Sequence, residues 1–176
     1  MTDKHDEAEM ARVYRARPQN DEIDDVLQQR LTATVGTLNA DGSVHLAYVI
    51  FLYADGRLYF ETASMTRKAR NATRRGQLSM IVQGRAGSGR HLMVAAEGTA
   101  RVLDSESAQE INHRLRAKYI KPSVLADIDR SWNQLDDIAV ELTPHRWRSW
   151  TGSVLHEVTS RQLTVPYAEA WLPDDA

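Results

Sequence analysis

Two turn signals constrain this chain more than any other feature: Ala40-Asp41-Gly42 and Asp55-Gly56 each separate runs rich in β-branched and aromatic residues. Leu31 to Asn39 is rich in Thr, Val and Leu, Val44 to Tyr53 resumes in the same character, and Leu58-Tyr59-Phe60 follows the second turn. Three antiparallel strands in immediate succession are therefore expected. Gln77 to Gln83 and His91 to Leu103 read as two more strands, with Glu97-Gly98 marking a bulge or bend in the second. Asp136 to Thr143 alternates as a sixth and ends at Pro144. The fold class expected is mainly β with flanking helices.

Helical spacing appears in four places. Asn20 to about Arg30 places Ile23, Val26 and Leu27 on one face behind acids in the first turn. Ser64 to Arg75 has Thr66 as its cap. Ala108, Ile111, Leu115 and Tyr119 follow the cap signal Asp104-Ser105, and proline ends that element at Lys121-Pro122. Pro122 to Leu135 reads as a short second helix and loop. Residues 1–19 are charged and suggest a mobile N-terminal arm, residues 20–151 the barrel domain, and residues 152–176 a tail that packs on the barrel or on a partner.

Composition narrows the function classes. The 176 residues carry 22 Lys+Arg against 24 Asp+Glu, a net charge of −2, so the chain as a whole is not built to bind nucleic acid. It has no cysteine, hence no disulfide, thiolate metal site or cysteine nucleophile. The acidic start has no apolar signal core and no stretch is apolar enough for a membrane span, which together predict a cytoplasmic protein. The six histidines show no metal-ligand spacing. Gly84-x-x-Gly87-x-Gly89 lies between antiparallel strands and reads as a hairpin loop, not as a dinucleotide fingerprint.

Charge is most uneven between Thr62 and Ala96, where Arg67, Lys68, Arg70, Arg74, Arg75, Arg85 and Arg90 stand with no carboxylate. A helix starting near Thr66 adds free backbone N–H groups and the positive end of its dipole, and Thr62, Ser64 and Thr66 add hydroxyl donors. That set suits one phosphate. A solvated basic helix face explains the charge alone equally well, and the hydroxyl-rich lead-in favours the phosphate.

Leu58-Tyr-Phe-Glu-Thr-Ala-Ser-Met-Thr-Arg-Lys-Ala-Arg-Asn71 resembles the third strand and Ser/Thr-Arg-Lys phosphate turn of the pyridoxamine 5′-phosphate oxidase-like split β-barrel family of flavin and deazaflavin proteins. Ala33 to Gly42 is similar to that family's opening hairpin and Met93 to Val102 to its long strand, so the likeness spans about Leu31 to Trp150. It implies a six-stranded antiparallel split β-barrel of FMN-binding type, with Thr62, Thr66, Arg67 and Lys68 as phosphate ligands. It further implies backbone at Tyr48, Val49 and Ile50 along the isoalloxazine edge, and His91 reaching the ring. In such proteins the pocket lies between two subunits, so the resemblance implies a homodimer, to which Trp147, Trp150, Tyr167 and Trp171 would contribute.

Leu46 stands where the vitamin oxidase of this family has an arginine, and its C-terminal arginine- and histidine-bearing motif is replaced by Arg146-Trp-Arg-Ser-Trp150. Both departures speak against pyridoxine phosphate oxidation. The wording is nearer to the actinobacterial-type branch, whose cofactor is deazaflavin coenzyme F-420 or FMN. The cations beyond Lys68, namely Arg70, Arg74 and Arg75 with Lys118 or Lys121, favour the longer, more anionic deazaflavin. Expected activity is hydride transfer to or from a small conjugated substrate; the alternative is a non-catalytic protein that stores or senses a flavin or haem.

Overall fold

The computed structural model describes residues 7–103 and 105–170. The cap expected at Asp104, residues 1–6 of the N-terminal arm and Trp171 in the tail lie outside the described residues.

Seven strands form one antiparallel sheet: β1 (Thr32–Leu38), β2 (Val44–Ile50), β3 (Leu52–Ala54), β4 (Arg57–Ala63), β5 (Gln77–Arg85), β6 (His91–Leu103) and β7 (Asp137–Thr151). Their spatial order is β2-β1-β5-β6-β7-β4-β3. Six helices flank it among the described residues: α1 (Glu7–Tyr14), α2 (Asn20–Gln28), α3 (Arg67–Arg75), α4 (Ser105–Tyr119), α5 (Pro122–Trp132) and α6 (Ser153–Ser160). The mainly β split barrel with flanking helices is thus the fold found, with seven strands where six were expected. The extra strand arises at Phe51. There the run from Val44 to Tyr53 breaks, and its two parts join opposite edges of the sheet. Phe51 is fully buried, and its backbone leaves the ladder to meet Tyr119: its N–H donates to the Tyr119 hydroxyl at 3.3 Å and its carbonyl accepts from it at 3.0 Å.

Period-2 alternation turns Ala33, Val35, Met80, Val82, Leu92 and Val94 inward, where they meet Leu58, Phe60, Val140 and Leu142. Strands from both ends of the sheet share this core, so the sheet is curled on itself. On the outer side, α4 lays Ala108 and Ile111 over Tyr59, Leu103 and Ala139. At the chain ends α1 and α6 pack together through the Arg12–Glu157 pair at 3.0 Å, and Val13 is buried. No helix among the described residues is long and apolar enough to cross a membrane.

The bulge expected at Glu97-Gly98 is present as a shift in the β6–β7 register between those residues. Opposite it β7 does not end at Pro144 but continues to Thr151: Pro144, which has no N–H to give the ladder, stands opposite Gly98, and the next residue, His145, is the one left out of the register. A Cβ at Gly98 would lie 2.1 Å from the Thr143 carbonyl oxygen and 2.8 Å from the Pro144 Cα. Both are backbone atoms of a paired strand and cannot step aside. Gly98→Ala is therefore expected to lose about 3 kcal/mol or more, read as a lowered urea midpoint.

Candidate functional site

Thr66 has extended backbone at the N-cap of α3, and its hydroxyl accepts a hydrogen bond from the Ala69 N–H at 3.4 Å. One turn earlier in the chain, the buried Thr62 places its hydroxyl 3.0 Å from that of Thr66. The lead-in between them is fixed from the residue just before β7: the Ser64 hydroxyl bonds the Asp136 carboxylate, and the Ser64 N–H donates to the Asp136 carbonyl at 3.3 Å. At its far end α3 stops at Gly76, whose φ of 62° is a left-handed conformation that favours glycine. Asn71, buried on the inner face of α3, donates to Thr37 at 3.1 Å and Asn39 at 3.0 Å and so locks the helix to β1.

The four expected phosphate residues therefore sit on one turn, though not equivalently. Lys68 is half-buried, and desolvation, with no carboxylate among the described residues to offset it, holds its ammonium below the usual lysine range. A half-buried cation that lacks an anionic partner among the described residues is poised for one. Arg67 is exposed. Of the further cations, Arg75 donates to the Asn39 and Ala40 carbonyls at 3.3 Å and thereby braces the β1–β2 hairpin. Lys118 does not extend the basic path: its ammonium donates to the carbonyls of Leu27 at 3.1 Å and Phe51 at 3.3 Å, and burial pushes it down to about 8. Arg70 and Arg74 remain exposed on α3.

Tyr48, Val49 and Ile50 lie on β2, a sheet edge, so one side of their backbone lacks a strand partner. Val49 points into the core, whereas Tyr48 is 77% exposed. Tyr48, Leu46 and Val44 stand beside Thr34, Gly36 and Leu38 of β1 on the outer face. Val44, Leu46, Thr34, Gly36 and Leu38 line, with Ile81 and Ala95, an open apolar groove of about 470 Å³. His91 is exposed and opens a second cleft of about 580 Å³ with Gln83, Arg85, Met93 and Trp150. The ladder places Glu61, Ala139 and Leu103 in one row, whereas His91 starts the other end of β6. Twelve residues of strand, up to roughly 40 Å, separate His91 from that row, and one chain does not bring it to the phosphate turn.

The late aromatics have partners within the chain. Trp150 donates to the Val13 carbonyl at 3.2 Å, Trp147 meets Tyr53 edge-on at 6.2 Å, and Tyr167 packs on His156 at 4.3 Å. The large exposed apolar surface is instead on β1 and β2, where Leu46 is 65% and Val44 63% exposed.

Behind the turn lies a charged cluster that local sequence patterning does not show. Arg116 of α4 is fully buried and binds Glu61 of β4 through Nε at 3.0 Å, Asp129 of α5 at 3.1 Å, Asn133 at 2.8 Å and Asp137 of β7 at 2.9 Å. Its guanidinium also lies 5.0 Å from the centre of the Trp132 ring. These partners are scattered between positions 61 and 137, so only the fold reveals them.

A conserved hypothetical protein of Mycobacterium tuberculosis superposes with a TM-score of 0.66 at 23% identity, over 78% of this chain and 88% of that one. An F420 reductase gives 0.56 at 19%, over 74% and 98% of the two chains. A heme storage protein from Vibrio cholerae gives 0.57 at 16%, over 75% and 93%. At these identities the likeness is one of fold. Comparison with curated proteins returns no match. Residues 19–151 match the family described as pyridoxamine 5′-phosphate oxidase, so that the split barrel and its capped turn are those of a chain that belongs to this family.

Proposed function

We propose that the protein is an oxidoreductase of flavin type, holding deazaflavin coenzyme F-420 or FMN by its phosphate on the turn from Thr62 to Lys68. The observation that carries this reading is the half-buried Lys68 ammonium, with no carboxylate partner among the described residues, beside a buried threonine hydroxyl and the N-terminus of α3. Such a donor set recognises a phosphate ester, and both cofactors supply one. The bound ring would contribute the hydride chemistry, given to or taken from a small conjugated substrate. The chain's own residues anchor the phosphate, offer the free backbone edge of β2 and exclude water with the apolar face around Tyr48. With Arg75 committed to the β1–β2 hairpin and Lys118 to the α2 end, Arg70 and Arg74, with the exposed Lys121, are left to meet the additional carboxylates of a deazaflavin tail.

The site is shared in this reading. The outer apolar face from Leu38 to Tyr48 is the surface a second copy covers, and His91 of the partner subunit then reaches a ring that a chain's own His91 does not. Sedimentation at micromolar concentration should give a dimer burying an obligate interface, roughly 2,000 Å² or more, and Val44→Glu, on the same exposed face, should return it to monomer with loss of cofactor. A monomer that holds cofactor tightly refutes the shared pocket.

Titrating the apoprotein with each cofactor tests the reading, followed by bleaching with reductant and reoxidation by conjugated acceptors. Tight binding with turnover supports it. Tight binding without turnover, or a Soret band with haem, makes the protein a storage or sensing member.

A further inference from the structure

The Arg116 cluster holds one guanidinium against three carboxylates, Glu61, Asp129 and Asp137, and two of them converge on the same Nη2. Asp129 has a second partner in His113, whose Nδ1 is 2.6 Å away. Every one of these carboxyl groups is largely withdrawn from solvent, and Glu61 lies within hydrogen-bonding reach of Asp137. Full ionisation would leave two uncompensated negative charges in the interior, or one when His113 is charged. Burial on that scale favours a proton on one carboxyl.

The cluster also brackets the phosphate turn. Glu61 immediately precedes Thr62, Asp137 pairs with Ala63 across the ladder, and Asp136 next to it holds Ser64. Other charged groups nearby are committed elsewhere: Glu141 of β7 pairs with Arg101 of β6 at 3.2 Å, and Arg130 with Asp127 on the outer side of α5 at 2.9 Å.

We propose that the cluster is a proton-linked positioning device for the anion site: the turn grips a phosphate ester while Glu61 is protonated and weakens when that proton leaves. This rests on the reading of the turn as a phosphate site. Desolvation first, with Asp137 adding to it and Arg116 opposing, pushes the Glu61 carboxyl up to about 7, so the change falls near neutrality. Ionisation places a negative charge one residue from Thr62 and alters the balance of pulls on Arg116 from β4, β7 and α5. By linkage, bound phosphate draws a proton onto Glu61.

The test is the pH dependence of FMN and F-420 binding to the full-length apoprotein, followed by flavin fluorescence in wild type, Glu61→Gln and Asp137→Asn. Wild-type affinity should fall roughly tenfold between about pH 6 and pH 8, opposite to the trend set by a phosphate monoester's own second ionisation near 6. Glu61→Gln keeps a neutral hydrogen-bonding group and should bind within about twofold of the pH 6 wild type throughout the range. Asp137→Asn serves the same purpose if the first variant does not fold, and it should reduce the slope. Trp132 fluorescence, taken as the difference from Trp132→Phe, should follow the same titration in wild-type apoprotein and be flat in Glu61→Gln. A slope that persists unchanged in Glu61→Gln belongs to another group and overturns the proposal while leaving the phosphate site standing. A wild type with no slope overturns it too. Failure of either cofactor to bind at any pH sinks the phosphate reading itself, and the proposal with it.

Discussion

An Arg116→Ala variant should lose about 3 to 5 kcal/mol of stability, the largest effect of any substitution outside the central core. The reason is the asymmetry of buried ion pairs. Removing the guanidinium leaves Glu61, Asp129 and Asp137 facing one another without a cation, and Trp132 without the group stacked on it. Arg116→Met, which keeps the alkyl stem's packing, should recover only a minor part. The pH course of unfolding carries a signature of its own. The Glu61 carboxyl is raised above its ordinary 4.5 to about 7, so between those values the folded state holds more protons than the unfolded one. Its contribution to stability is therefore complete below about pH 4.5 and is lost as pH rises through 7; Glu61→Gln should flatten that part of the curve in denaturant titrations.

Lys68→Ala should weaken cofactor binding by roughly 10- to 150-fold, the worth of one desolvated charge-assisted bond of about 1.5 to 3 kcal/mol. Arg67→Ala should weaken it less, because Arg67 is exposed in the isolated subunit, and Arg74→Ala hardly at all. Raising salt should separate the same residues, leaving the Lys68 contribution largely intact. Equal losses from all three substitutions would reduce the site to a diffuse basic patch.

Much of this was legible in the sequence where the determinants are local. Hairpin turns at Asp41-Gly42 and Asp55-Gly56, the cap at Thr66 and the bulge at Gly98 each follow from the backbone preferences of a few neighbouring residues. The Thr62 to Lys68 turn was visible because hydroxyls and cations cluster within one short segment. What escaped is non-local. The Val44 to Tyr53 run gives no sign that Phe51 divides it, since the cause is a tyrosine on α4. Arg116 looks like any helix-surface cation until Glu61, Asp129 and Asp137 are folded around it. Lys118 was misplaced for the same reason: its acceptors are two main-chain carbonyls far away in the chain. Pro144 misled in the opposite sense, as a strand terminator in isolation that a bulge accommodates in the sheet.

The crossing at Phe51 also limits how this chain can vary. A single residue carries the backbone from one edge of the sheet to the other, so no slack exists there to absorb an inserted or deleted amino acid. One residue more or less would invert the faces of β3 relative to β2, sending the Phe51 ring out of the core and breaking its contacts with Tyr119 and Lys118. Length changes among natural variants of this barrel should instead collect at the Asp41-Gly42 tip and in the Gly84 to Gly89 loop, where the two ends are already neighbours and extra chain costs little.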